Sequence, residues 1–123
     1  MINVLNQIAK QLQAVGINYE FGRMTQHPPK YPYWVGEYSE PEPLTEDGLL
    51  SPSIILSGFA RGSRLSLEQD KQRIRNYFIH GQLCTTDQGT ILLSYGGSLD
   101  IPDETADLYR CQITIAAKEW RII

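Results

Sequence analysis

Residues 109–118, YRCQITIAAK, alternate strictly: Tyr109, Cys111, Ile113, Ile115 and Ala117 fall on one side, Arg110, Gln112, Thr114 and Lys118 on the other. Successive side chains of a strand point to opposite faces, so this period of two demands a strand with one dry and one wet face. A sheet covered on both faces would read as unbroken apolar runs instead. The chain therefore needs a sheet packed on one side only. Its outer face, carrying Arg110, Gln112 and Thr114, would leave room for a partner surface.

The packing layer comes from two helical stretches. Leu5, Ile8, Leu12 and Val15 recur at helical spacing, and Gly16 is placed to end that helix in a left-handed conformation, which predicts a helix over residues 2–15. A second is predicted over 66–80, where Leu67, Ile74, Tyr77 and Phe78 form the apolar stripe and Gly81 ends it. Ser66 with Gln69 reads as a capping box at its start. Glu68 and Asp70 then occupy the first turn, where the helix dipole favours acids, and Arg73 and Arg75 follow.

Between the helices, INYEF (17–21) alternates as a strand. QHPPKYP (26–32) interrupts, because its prolines lack ladder donors. YWVGEYSE (33–40) and SIILSGFA (53–60) are strands, the latter apolar enough to be central. After the second helix, QLCTT, a turn at DQG and TILLSYG form a hairpin, and GGSLDIPDETAD is a loop leading into the last strand. The order is helix, three strands, helix, three strands. It predicts a single α+β domain over 1–123, with two helices packed on one face of a largely antiparallel, or mixed, sheet. Ile8, Leu12, Ile55, Ile74, Phe78, Leu93, Ile113 and Ile115 are the expected core.

At 123 residues the chain can bury a core without a disulfide or metal. The net charge of −3 argues against a dedicated nucleic-acid binder. No basic segment followed by an apolar stretch suggests a signal peptide, and no apolar run is long enough to span a bilayer. Cys84 and Cys111 lie on predicted strands without metal-ligand spacing, so buried free thiols in a reducing compartment are expected.

Catalytic patterns are absent from the sequence. It has no phosphate loop of the GxxxxGK[ST] type, no GxSxG elbow and no HExxH. His27 sits in a proline loop, and His80 at a helix end is a favourable charge near the negative end of the dipole. Two acidic stretches, Glu37, Glu40, Glu42, Glu46 and Asp47 in one and Asp100, Asp103, Glu104 and Asp107 in the other, leave a small metal-dependent nuclease or hydrolase as an alternative. The glycine and terminal glutamate of a calcium loop are missing, and solvated loop charge is the simpler reading. Arg61, Arg64, Lys71, Arg73 and Arg75 gather around the second helix, diluted by Glu68 and Asp70. No metal, cofactor or catalytic residue is assigned.

Element order and local motifs together resemble a known family. The leading amphipathic helix, the YPYWVGEY strand with its long polar excursion, LSGFARGS running into LEQDKQRIRNYF, and the closing DLYRCQITIAAKEW look like the small tail-completion, or tail-terminator, proteins of long-tailed bacteriophages and their prophage remnants. Leu67, Glu68, Ile74 and Phe78 match the family's LE helix start and its spaced Ile and Phe. The resemblance implies a helix-on-sheet sandwich without catalytic residues. It implies a homo-oligomeric ring, typically a hexamer, that caps the tail tube, stops its polymerisation and helps join the tail to the head. The expected partners are then the chain itself, a tail-tube protein and a head-connector protein, with no membrane and no sequence-specific nucleic acid. The expected location is the virion tail, after assembly in the host cytoplasm. A small monomeric or dimeric protein-binding domain of the immunity type is the other alternative.

Within that expectation the stretch 39–52 is a docking arm. It is long for a strand connection, stiffened by Pro41, Pro43 and Pro52, and holds acids without Lys or Arg between residues 37 and 47. Tyr33, Trp34 and Tyr38 at its base would supply aromatic contact area; Glu40, Glu42, Leu44, Glu46, Asp47, Leu49 and Leu50 would make the arm itself. Arg61, Arg64, Arg73 and Arg75 of a neighbouring subunit are the expected receiving surface.

Overall fold

The computed structural model describes residues 2–39, 49–50, 52–87, 89–101 and 107–121. Its elements run α1 (Ile2–Ala14), β1 (Tyr19–Phe21), β2 (Tyr33–Ser39), β3 (Leu49–Leu50), β4 (Ser53–Arg61), α2 (Arg64–Phe78), β5 (Gln82–Thr86), β6 (Gly89–Ile101) and β7 (Leu108–Arg121). The expected order of helices and strands holds, with β3 as a short addition. The fold is α+β, and the sheet is mixed and curled into a half-barrel. Its strand order is β1-β2-β4-β7-β6-β5; β1 pairs parallel to β2, and every other pair is antiparallel.

Both helices feed one hydrophobic cluster. Val4, Ile8 and Leu12 from α1 and Leu67, Ile74 and Phe78 from α2 are buried with Trp34, Ile54, Leu56, Ala60, Ile91, Leu93, Cys111, Ile113, Ile115 and Ala117 from the strands. On β7 the inward set is the one the alternation requires. On β4, Ile54, Leu56 and Ala60 point inward, and Ile55 is only half-buried on the opposite face. Ile55 is therefore not a core residue. In an all-apolar run the register is set by the ladder, which pairs Ile54 with Ile115 and Leu56 with Ile113.

Helix α1 ends as its glycine requires. Gly16 has φ +83°, its N–H donates to the Gln13 carbonyl at 3.1 Å, and Ile17 N–H donates to the Leu12 carbonyl at 3.0 Å. This is the paired Schellman closure, with Leu12 and Ile17 both buried beneath it. Helix α2 starts at Arg64, two residues before the expected position. Its N-cap, Ser63, is extended and makes no side-chain cap bond. Ser66 donates its hydroxyl to the Ser63 carbonyl at 3.2 Å, so the expected capping box does not form. The earlier start also moves Asp70 out of the first turn and onto the buried stripe.

The strands at the end of the chain are longer than expected. β6 continues through the glycines at 96 and 97 to Ile101, with a register shift between Tyr95 and Gly97. That bulge absorbs the glycines expected to form a loop. β3 and β4 follow one ladder against β7: Leu50 faces Glu119, Ser53 faces Ala116, and the Pro52 carbonyl between them accepts from Ala117 N–H at 3.0 Å. Leu49 and Leu50 are thus strand backbone, not free arm.

The proline segment after β1 takes its order from side chains, since proline offers no donor. The Asn18 amide donates to the Lys30 carbonyl at 3.0 Å and exchanges bonds with the Gln26 amide, while Glu20 accepts from Thr25 N–H and Oγ1, both at 2.6 Å. Trp34 N–H donates to the Asn18 carbonyl at 2.8 Å, which fixes how β2 enters.

Candidate functional site

Trp34 and Tyr33 are neighbours on β2, and the pleat sends them apart. Trp34 is fully buried, with its ring over Gly58, where a Cβ would stand 2.7 Å from the indole carbons. Its Nε1–H donates to the Asp70 carboxylate at 3.1 Å. Trp34 is therefore a core residue and offers no contact area to a partner, contrary to expectation. Burial pushes the Asp70 carboxyl above its usual range, against the opposing pull of the Trp34 hydrogen bond and of Arg73. Tyr19 lies in the same layer with its ring over Gly36, and burial raises its phenol to about 12.

Tyr33 points to the outer face and begins a continuous stack. Its ring lies 4.9 Å from Phe59, nearly parallel, and 5.3 Å from Tyr31. The Arg110 guanidinium sits 5.3 Å above Phe59, and that of Arg61 5.6 Å above Tyr31. Arginines at both ends of an aromatic row match the attraction of a cation for a ring face. Beside the row lies an open groove of about 340 Å³, lined by Gly22, Arg23, Met24, Tyr33, Val35, Glu37, Ser57, Phe59 and Arg110. Arg110 Nε is buried there and has no hydrogen-bond partner. Tyr38 is exposed at the far end of β2, with its ring 5.9 Å from that of Phe21.

The basic residues expected to receive an acidic partner are mostly matched within the chain. Arg64 Nη2 lies 2.6 Å and Lys71 Nζ 2.8 Å from the two Asp100 carboxylate oxygens, and both cations also approach Glu68. This alternating cluster ties α2 to β6 and holds the Asp100 carboxyl below the usual range, Lys71 first and then Arg64. Arg61 pairs with Asp107 at 3.1 Å, and Arg73 lies 3.7 Å from Asp70. Arg75 is exposed on α2. Asp100 and Asp107 are thus spread between separate ion pairs. Among the described residues no group of His, Cys, Asp and Glu gathers as a metal site.

Glu40, Glu42, Leu44, Glu46 and Asp47 of the expected arm lie outside the described residues, as do Asp103 and Glu104; Glu37 is exposed at the groove. Both cysteines are free. Cys111 is buried and its thiol is pushed up to about 12; Cys84 is half-buried and accepts from Gln11 Nε2 at 3.4 Å. Among the described residues no helix is long and apolar enough to cross a membrane.

Sequence reasoning placed Arg110 on the outer face and missed its companions Arg23, Tyr31 and Phe59. The signal for Phe59 was its parity with Ile55 rather than with Ile54, which the apolar run of β4 conceals. Compared with family models and with curated proteins, the sequence finds no match.

Proposed function

We propose that the protein is a structural subunit of the tail-terminator type. In this reading it self-assembles into a ring, hexameric as in the family it resembles, that caps a phage tail tube and joins it to the head connector. Both helices lie on one face of the sheet, and the other face is the assembly surface. The proposal assigns it no catalysis, and its working location is the virion tail.

The observation that carries this reading is the outer face, covered by no helix among the described residues, with its Arg61–Tyr31–Tyr33–Phe59–Arg110 row. Aromatic residues and arginine are the types enriched where proteins meet. The hydrolase alternative has less support, because Asp100 and Asp107 are engaged by cations of the chain itself.

Replacing residues 40–47 by a short turn tests the assembly role while sparing the β3 pairing with β7. The thermal midpoint is expected to stay within a few degrees of the parent, and ring formation, read as molar mass in the presence of tube protein, is expected to be lost. A trimmed chain that still assembles, or that unfolds, contradicts the reading.

A further inference from the structure

The acidic segment needs a basic landing site, and Arg61, Arg64 and Arg73 are poor candidates because carboxylates of the same chain already engage them. A partner would first have to displace those carboxylates. Arg23 and Arg110 have no ion pair among the described residues, and both line the outer groove. A guanidinium with a free Nε–H presents the fork that binds a carboxylate through two parallel hydrogen bonds. In Arg110 the Nε–H is buried without a partner, so an incoming carboxylate meets it only when the side chain turns outward.

The two ends of the sheet are not alike. Tyr33, Phe59 and Arg110 share one row across β2, β4 and β7, whereas Ser39, Ser53 and Ala116 share another. At about 3.3 Å per residue, these rows are roughly 20 Å apart along β2, and Leu49 lies opposite Trp120, roughly 33 Å along β7 from Arg110. The chain from Ser39 to Leu49 extends at most about 36 Å, too little to reach Arg110 and return. The segment after Ser39 therefore cannot reach Arg110 of its own copy, although the Glu37 end of the groove lies within about 7 Å of Ser39.

The geometry points to a head-to-tail contact in which the acidic segment of one copy, residues 40–47, docks in the Arg23–Arg110 groove of the next. This rests on the self-assembly reading above and names its contact. Four acids, Glu40, Glu42, Glu46 and Asp47, with no Lys or Arg between them complement two arginines that have no ion pair among the described residues, and Leu44 matches the apolar lining of Val35, Met24 and Phe59. Glu37 of the receiving copy lines the groove at the end away from Arg110. Unlike surfaces meeting head to tail close into a ring when the rotation permits. A nucleic acid fits less well: base stacking needs free ring faces, and here Phe59 lies between Tyr33 and Arg110.

The test places a photo-crosslinking p-benzoylphenylalanine at Leu44 in the full chain, mixed with a ¹⁵N-labelled copy and tube protein. Expected are links between labelled and unlabelled chains that map to peptides containing Met24, Phe59 or Arg110. Their yield should fall roughly tenfold in Arg23→Glu/Arg110→Glu, as loss of a desolvated charged contact does. Arg110→Gln, which keeps the bulk and removes only the charge, should fall in the same direction. Links confined to one copy, links to α2, no links, or a yield unchanged in both variants would overturn the contact. Tube arrest is read separately: arrest without these links overturns the contact alone, and links without arrest overturn the tail reading alone.

Discussion

Trp34 Nε1–H donates to the buried Asp70 carboxylate at 3.1 Å, and this bond joins β2 to α2 through the middle of the core. It relieves a charge that burial makes costly, and removing either partner has a different consequence. Trp34→Phe leaves the carboxylate without its donor and is expected to destabilise by about 1–3 kcal/mol in urea unfolding. Asp70→Asn keeps an acceptor for the indole and removes the charge, so it is expected to be neutral or stabilising at pH 7.

The same pair sets a pH dependence. Because the folded Asp70 pKa is raised, the native state holds this proton more tightly than the unfolded chain. Its penalty is absent below the unfolded value of 3.8, grows as pH rises toward the folded value, and is constant above it. Asp100 works in the opposite sense: its lowered pKa contributes stability above 3.8 that is lost as pH falls through the folded value. Unfolding curves from pH 3 to 7 should show Asp70→Asn gaining on the parent as pH rises. Asp100→Asn should lose ground over the same rise.

The half-exposed Asp100 cluster is expected to be weak. A double-mutant cycle on Lys71 and Asp100 should give a coupling of about 0.2–1 kcal/mol, shrinking with added salt. A larger, salt-insensitive value would mean that the pair is less hydrated than its exposure implies.

Gly58→Ala separates strand preference from packing. In an open strand alanine would gain on glycine. Here the added Cβ would meet the Trp34 ring at 2.7 Å, and overpacking of this kind is expected to cost about 1–3 kcal/mol. Ile54→Ala should cost about 2–5 kcal/mol and Ile55→Ala clearly less, since only Ile54 is fully buried.

The elements with a strong period were legible. The alternation of residues 109–117 assigned both faces of β7, and the spacing of Ile8 and Leu12 oriented α1. Adjacent residues with similar chemistry were not. Nothing local tells Tyr33 from Trp34 or Ile54 from Ile55; the cross-strand register and the space above Gly58 decide them. The Ser66–Gln69 motif satisfied a local rule, but α2 begins at Arg64, within reach of Asp100 on β6. The groove draws Arg23 from the turn after β1 and Arg110 from β7, and pairing across β2 and β4 brings them together.

Tube length measures the proposed activity itself. A tail-tube protein from the same genome, polymerised with and without this chain, would be measured by electron microscopy. Tubes arrested at a short, uniform length, each ending in a ring that contains this protein, are the expected result. Tubes that elongate equally in its presence, with no ring at their ends, would contradict the tail-terminator reading.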